Sequence, residues 1–125
     1  MLASPAAAIR VRGLTHVFTR PTGEALCVLS GLDLDVEAGS HVALMGASGE
    51  GKSTLLSLLG GLDPAQAGEL NVAGHNLRAL GRKEMASFRS RTVGFVFQHF
   101  GLLEALTAAA NIELPLSIAR RPPDL

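Results

Sequence analysis

Gly46, Gly51, Lys52 and Ser53 stand in the order G-x-x-x-x-G-K-[ST], within the segment GASGEGKST that runs from Gly46 to Thr54. Wrapping a di- or triphosphate requires successive backbone N–H groups to point into one concavity, with no side chain in the way. Glycines at 46, 49 and 51 remove Cβ atoms and permit positive φ. A helix predicted to start near Lys52 presents its unpaired N–H groups and positive dipole end to the anion. Lys52 adds a point charge that reaches the β- and γ-phosphates. The Ser53 hydroxyl suits a Mg²⁺ ligand, the Thr54 hydroxyl suits an α- or β-phosphate oxygen, and Ser48 and Gly49 contribute backbone N–H groups to the same nest. The bland alternative is a glycine-rich turn ahead of a helix. The context decides against it, because the segment lies between the apolar run Val42–Met45 and a leucine-rich helix. Glu50 brings a negative charge into this loop, and its side chain is expected to project to solvent, where screening makes it cheap.

The elements that must hold this loop follow from periodicity. Ile9 to Leu14 alternates apolar and polar residues as a half-buried strand does, Pro21-Thr22-Gly23 marks a turn, and Ala25–Leu29 and Leu32–Val36 supply further strand pieces. Tight turns between them predict antiparallel pairing. Val42–Met45 is a continuous apolar run, expected as a strand buried on both faces. Lys52–Leu59 reads as a helix offering Leu55, Leu56, Leu58 and Leu59 to the core, stopped by Gly60-Gly61. Glu69–Val72 is a short strand ending at Gly74, Lys83–Arg89 a helix, Val93–Phe97 a second buried strand, and Thr107–Leu116 a helix whose length Pro115 limits.

Composition bounds the functional classes. A chain of 125 residues makes at most one domain, and 47% hydrophobic residues suffice for a core. Eleven basic and eleven acidic residues cancel, so no net field draws the chain to nucleic acid or an anionic membrane. Cys27 is alone, no Cys/His spacing suggests zinc, and a reducing compartment is the simplest setting. The N-terminus lacks the pattern of a signal peptide, and no apolar stretch approaches the roughly 18 residues of a spanning helix. Any work at a membrane therefore needs a partner that supplies the spans.

A phosphate loop alone does not choose among kinases, GTPases and transport ATPases; the residues around it do. GASGEGKSTLLSLLGGLDPAQAGEL and VGFVFQHFGLLEALTAAANIELPL, in that order, resemble the ATP-binding subunits of ABC transporters, with the lipoprotein-release and macrolide-export branch nearest. The resemblance covers nearly the whole chain. It implies an α/β fold: the first half of a P-loop NTPase (RecA-like) core with an N-terminal antiparallel β subdomain. In that scheme residues 1–125 are the N-terminal part of one ATPase domain. About 8–97 form the β subdomain and phosphate-loop core, and about 98–125 form the Q-loop and the start of the helical subdomain.

The resemblance also implies roles. Gln98 matches the Q-loop glutamine, whose side-chain oxygen meets Mg²⁺ and the attacking water and whose loop touches the permease. Without the flanking matches, a surface Gln at a strand end is the favoured reading. Phe18 matches the adenine-stacking aromatic, a contact worth roughly 1–3 kcal/mol per base; the lesser alternative is a core Phe in a short strand. The ligands implied are ATP and Mg²⁺. The partners implied are an integral-membrane permease and a second, head-to-tail copy of the domain, at the cytoplasmic face of the plasma membrane. His16, His41, His75 and His99 are read as surface or partly packed, and Arg82, Lys83, Arg89 and Arg91 as a solvated face.

Two departures follow Gln98. Glu104 stands where the branch has Pro after its paired leucines, and Ala110 where it has Glu. Thr107 can still cap a helix, but Ala110 cannot return the reciprocal bond, at a cost of about 0.5–1 kcal/mol. The segment lies near the expected permease contact, so partner choice is what these departures bear on. The family's signature motif, Walker B carboxylate, catalytic Glu and switch His do not occur in these residues, so the chain by itself is expected to be inactive and marginally stable. The rival readings are a truncated, non-catalytic nucleotide-binding product and a different P-loop enzyme such as a small-molecule kinase. The Q-loop segment and the lack of a basic lid-like stretch argue against the kinase.

Overall fold

Alternation in the first forty residues becomes two long paired strands. A computed structural model describes residues 7–120. In it β1 (Ala7–Thr19) and β2 (Ala25–Glu37) run antiparallel. The turn at Pro21-Thr22-Gly23 forms as expected: the Gly23 N–H donates to the Arg20 carbonyl at 2.8 Å and the Arg20 N–H to the Glu24 carbonyl at 2.9 Å. The two strand pieces expected after it are one strand. An extra residue at Gly31 in β2, and another at Gly13 in β1, absorb two of the four register shifts between these strands. Both glycines hold positive φ, 61° and 58°, which is what lets the ladder bulge and resume.

β3 (Ala67–Val72) pairs antiparallel with the other edge of β1, from Ile9 opposite Val72 to Thr15 opposite Ala67. β4 (His75–Asn76) closes a hairpin with it, giving the order β2-β1-β3-β4. The connecting Ala73 and Gly74 both have positive φ, as a tight two-residue hairpin demands. Helix α1 (Lys52–Leu59) matches its predicted span. It ends with Gly61 at φ 68° and the Leu62 N–H donating to the Ser57 carbonyl at 2.9 Å, a glycine stop. The core of this unit consists of Val11, Leu14, Leu29, Leu70, Val72 and Leu77 with Leu55, Leu58 and Leu59 of α1. Leu56, expected among them, is exposed, because one residue of helix rotates it about 100° from the face that 55, 58 and 59 share. His16 is buried rather than surface or partly packed.

The chain divides into two compact units, the first ending at Leu80 and the second beginning at Gly81. The second contains α2 (Arg82–Arg91), which buries Phe88, and α3 (Ala108–Arg120). The Thr107 hydroxyl accepts the Ala110 N–H at 3.2 Å, so the one-armed cap forms. Asn111 adds a clamp that the sequence reading missed: its Oδ1 accepts the Leu103 N–H at 2.9 Å and its Nδ2 donates to the Leu103 carbonyl at 3.1 Å. α3 continues through Pro115, where Leu116 was expected as its limit. One missing N–H leaves the Asn111 carbonyl without its usual donor but does not stop the helix. Among the described residues no helix is long and apolar enough to cross a membrane.

The two buried strands expected at Val42–Met45 and Val93–Phe97 are not formed. Val42 is 58%, Met45 92% and Val96 102% exposed. An apolar run becomes a strand only when neighbours take up its N–H and C=O groups, and among the described residues no ladder forms on either run.

Two predictions follow from how the sheet is held. Gly51 has φ 87°, and a Cβ there would meet Val28 Cγ1 at 2.9 Å and the Val28 carbonyl oxygen at 3.0 Å. Gly49 has φ 86° with nothing within 4 Å of its Cβ position. Gly49→Ala therefore carries only the left-handed backbone penalty, about 1–2 kcal/mol, whereas Gly51→Ala adds a collision with β2. Thermal melts should rank the variants Gly51→Ala below Gly49→Ala below the parent protein. The second concerns pH. Arg12 donates to both Asp35 oxygens, at 2.9 and 2.6 Å, and those hydrogen bonds hold the Asp35 carboxyl below its ordinary value. A lowered folded-state value stabilises above the unfolded-state value and is lost as pH falls through the lowered one. Asp35→Asn should melt below the parent at neutral pH, and the gap should close in acid.

Candidate nucleotide-binding site

The loop ahead of α1 owes its shape to two left-handed residues, Gly49 and Gly51. Gly51 is the N-cap of α1, and no side chain caps that helix. The first intrahelical bond runs from the Leu55 N–H to the Gly51 carbonyl at 2.9 Å, so the N–H groups of Lys52, Ser53 and Thr54 lie ahead of the helical ladder. Three such donors at the positive end of a helix dipole form an anion site. Gly51 is buried against Val28 and Leu29 of β2, so the sheet is the floor on which the loop turns into the helix.

Two charged side chains fold back on this loop. Lys52 Nζ donates to the Gly46 carbonyl at 2.7 Å and to the Ala47 carbonyl at 2.6 Å. Glu50, expected to project to solvent, is exposed and also accepts the Ala47 N–H through Oε2 at 2.8 Å. Its carboxylate lies where a Cβ on Gly46 would stand. Gly46 therefore needs no positive φ; its missing side chain makes room for Glu50 and its carbonyl holds Lys52.

A cavity of about 390 Å³ opens over the loop. One wall is apolar and built by Phe18, Leu26 and Val28; the other is polar and built by Ser48, Gly49 and Gly51 to Thr54. That size and division suit a ligand with one flat apolar end and one anionic end. Phe18 is half-exposed at 44%, so it is a cavity wall and not a core residue. Behind it the buried His16 ring meets it edge-on, with centroids 4.7 Å apart. Leu26 pairs with Phe18 across β1 and β2. Neither Leu26 nor Val28 was singled out from sequence; the signal was the i, i+2 alternation of β2, which points at the cavity only once the register is known.

The expected site residues thus fall into two groups. Phe18, Ser48, Gly49, Gly51, Lys52, Ser53 and Thr54 line one cavity, with Gly46 tied to it through Lys52. Gln98 belongs to the second unit, where it is exposed in a turn just before the left-handed Phe100 and Gly101. Asp33 and Asp35 are occupied in the sheet, Asp33 accepting the Gly13 N–H at 2.7 Å and Asp35 pairing with Arg12.

Known proteins share this arrangement. The family described as ABC transporter matches residues 29–122. The lipoprotein-releasing system ATP-binding protein LolD of Chromohalobacter salexigens is 46% identical over 110 residues, covering 88% of this chain and 46% of that protein. The macrolide export ATP-binding/permease protein MacB of Rhodopseudomonas palustris is 45% identical over 115 residues, covering 91% of this chain and 17% of that protein. The dimeric structure of MJ0796, a bacterial ABC transporter cassette, superposes with a TM-score of 0.84 at 35% identity, over 91% of this chain and 49% of that one. The chain spans about half the length, or less, of the relatives it matches. A loop seated on an antiparallel sheet, an apolar wall facing it, and a family match across most of the chain lead to one conclusion: the chain belongs to the ABC transporter family.

Proposed function

We propose that this chain is the nucleotide-gripping part of the ATP-binding subunit of a membrane transporter working in export or lipoprotein release. The observation that carries this reading is the single cavity joining an aromatic wall at Phe18 to the anion site at Gly51–Thr54. The residues fit ATP: the N–H groups of 52–54 precede the helical ladder, and positions 49 and 51 have no Cβ to block approach. Phe18 stacks on the base. Lys52 exchanges two neutral carbonyls for β- and γ-phosphate oxygens, which are stronger acceptors because they are charged. The Ser53 hydroxyl would offer Mg²⁺ a ligand, and the ion would supply charge neutralisation to the phosphates. Thr54 and the Ser48–Gly49 backbone complete the grip.

The wider role rests on the relatives. LolD and MacB are named as an ATP-binding protein and an ATP-binding/permease protein, and MJ0796 is described as a dimer, in one structure with ADP and Pi bound. By the same logic this subunit pairs head-to-tail with a second copy and docks on a permease, as a peripheral protein at the cytoplasmic face. The grip described is one part of an ATPase. Hydrolysis also needs an acidic metal partner and a water-activating group, which the family resemblance puts downstream of Gln98.

In the full-length protein Lys52→Ala should weaken MgATP binding about a hundredfold, roughly 3 kcal/mol for a charge-assisted contact. Titration calorimetry reads this directly. The melting temperature should barely move, since Lys52 touches only loop carbonyls. Parent-like affinity in Lys52→Ala would sink the reading.

A further inference from the structure

The ladder between β1 and β3 ends before the cavity does. Its last pair is Thr15 with Ala67. There Gly68, at φ 92°, presses against the β1 bulge so closely that a Cβ would stand 2.6 Å from the carbonyl oxygens of Arg12 and Gly13. Upstream of Ala67 the chain leaves the sheet. The backbone of Val17, two residues past the last pair and one before Phe18, pairs with Cys27 of β2 on one side and has no strand beside it on the β3 side.

Gln66 takes that place with its side chain. Its Oε1 accepts the Val17 N–H at 2.7 Å, and its Nε2 donates to the Val17 carbonyl at 2.9 Å. These are the two bonds that a residue of a neighbouring antiparallel strand would exchange with Val17. They pin the peptide planes on both sides of Val17: the 16–17 plane through the N–H and the 17–18 plane through the carbonyl. Gln66 is held in turn by Arg78, which donates to the Gly68 carbonyl at 2.7 Å and to the Gln66 carbonyl at 3.3 Å. On its far side Phe18 pairs with Leu26, and the ladder has one more pair, Thr19 with Ala25, before the turn. A strand end held from one side frays; this one is held from both.

We propose that Gln66 is a positioning residue for nucleotide-base binding: through the two peptide planes of Val17 it fixes the backbone from which Phe18 presents its ring to the cavity. The inference rests on Phe18 being the base contact. Gln66 does not line the cavity, so its effect travels entirely through β1.

The test compares two ligands on the full-length protein, MgATP and magnesium tripolyphosphate; the second offers the phosphates without a base. Gln66→Ala should weaken MgATP about fivefold to tenfold and leave tripolyphosphate within about twofold. Phe18→Ala should do the same, and adding Gln66→Ala to Phe18→Ala should cost nothing more, since both act through one ring. Gln66→Glu keeps the side-chain length and the acceptor for the Val17 N–H but loses the donor. With a carboxylate oxygen set against the Val17 carbonyl, it should give a loss at least as large as Gln66→Ala, again confined to MgATP. If Phe18→Ala leaves MgATP affinity unchanged, the base reading fails and this inference with it. If Phe18→Ala weakens MgATP but neither Gln66 variant does, or if they weaken both ligands alike, the positioning role alone is overturned.

Discussion

A left-handed residue buried on a strand is the constraint on which the site depends. Gly51 must reverse the chain out of the loop, start α1, and lie against Val28 and Leu29 of β2 without a side chain between. Only glycine meets all three demands, because any Cβ collides with β2 and positive φ strains any L-residue. Everything on the polar side of the cavity inherits its position from this seat. The three N–H groups of 52–54 converge because the helix begins there, and they face Phe18 because β2, the floor, is also the strand that pairs with β1.

The loop's charges balance within themselves. Lys52 is satisfied by two carbonyls and Glu50 by a backbone N–H, all within residues 46–52. Lying exposed, such bonds compete with water and contribute only about 0.2–0.5 kcal/mol each. That is enough to hold the loop in shape, and weak enough for a polyanion to displace. The Glu50 carboxylate and the Lys52 ammonium both lie at the Gly46–Ala47 end of the loop, where they offset each other, and the helix N-terminus makes the Gly51–Thr54 end electropositive.

How much of this was legible in the sequence depends on whether a feature is local. The phosphate loop, α1 and its glycine stop, the Pro21–Gly23 turn and the Thr107 cap are set by residues within a few positions of one another, and all could be read. The cavity's second wall could not. Leu26 and Val28 line the cavity with Phe18 through a register that shifts four times between β1 and β2, Gly13 and Gly31 lying at two of the shifts, and periodicity does not count bulges. Glu50 and Gln66 eluded the reading for a related reason: each does backbone work with a side chain, and no spacing rule marks such a stand-in. Pro115 misled in the opposite sense, since a rule about one lost hydrogen bond was applied to a helix that its other bonds sustain.

The two apolar runs carry the same lesson to the level of the sheet. Val42–Met45 and Val93–Phe97 have the composition of strands buried on both faces, yet their side chains stand largely exposed. Composition gives a segment the capacity to be an inner strand; hydrogen-bonded neighbours on both edges make it one. In the antiparallel sheet β1 and β3 meet that condition from within the described residues, with Gln66 extending the β3 side of β1 by one pair where the backbone runs out. The apolar runs do not meet it. The candidate site therefore rests on strands that the described residues pair among themselves, which is why the loop, its floor and its aromatic wall are in place although neither run has formed a strand.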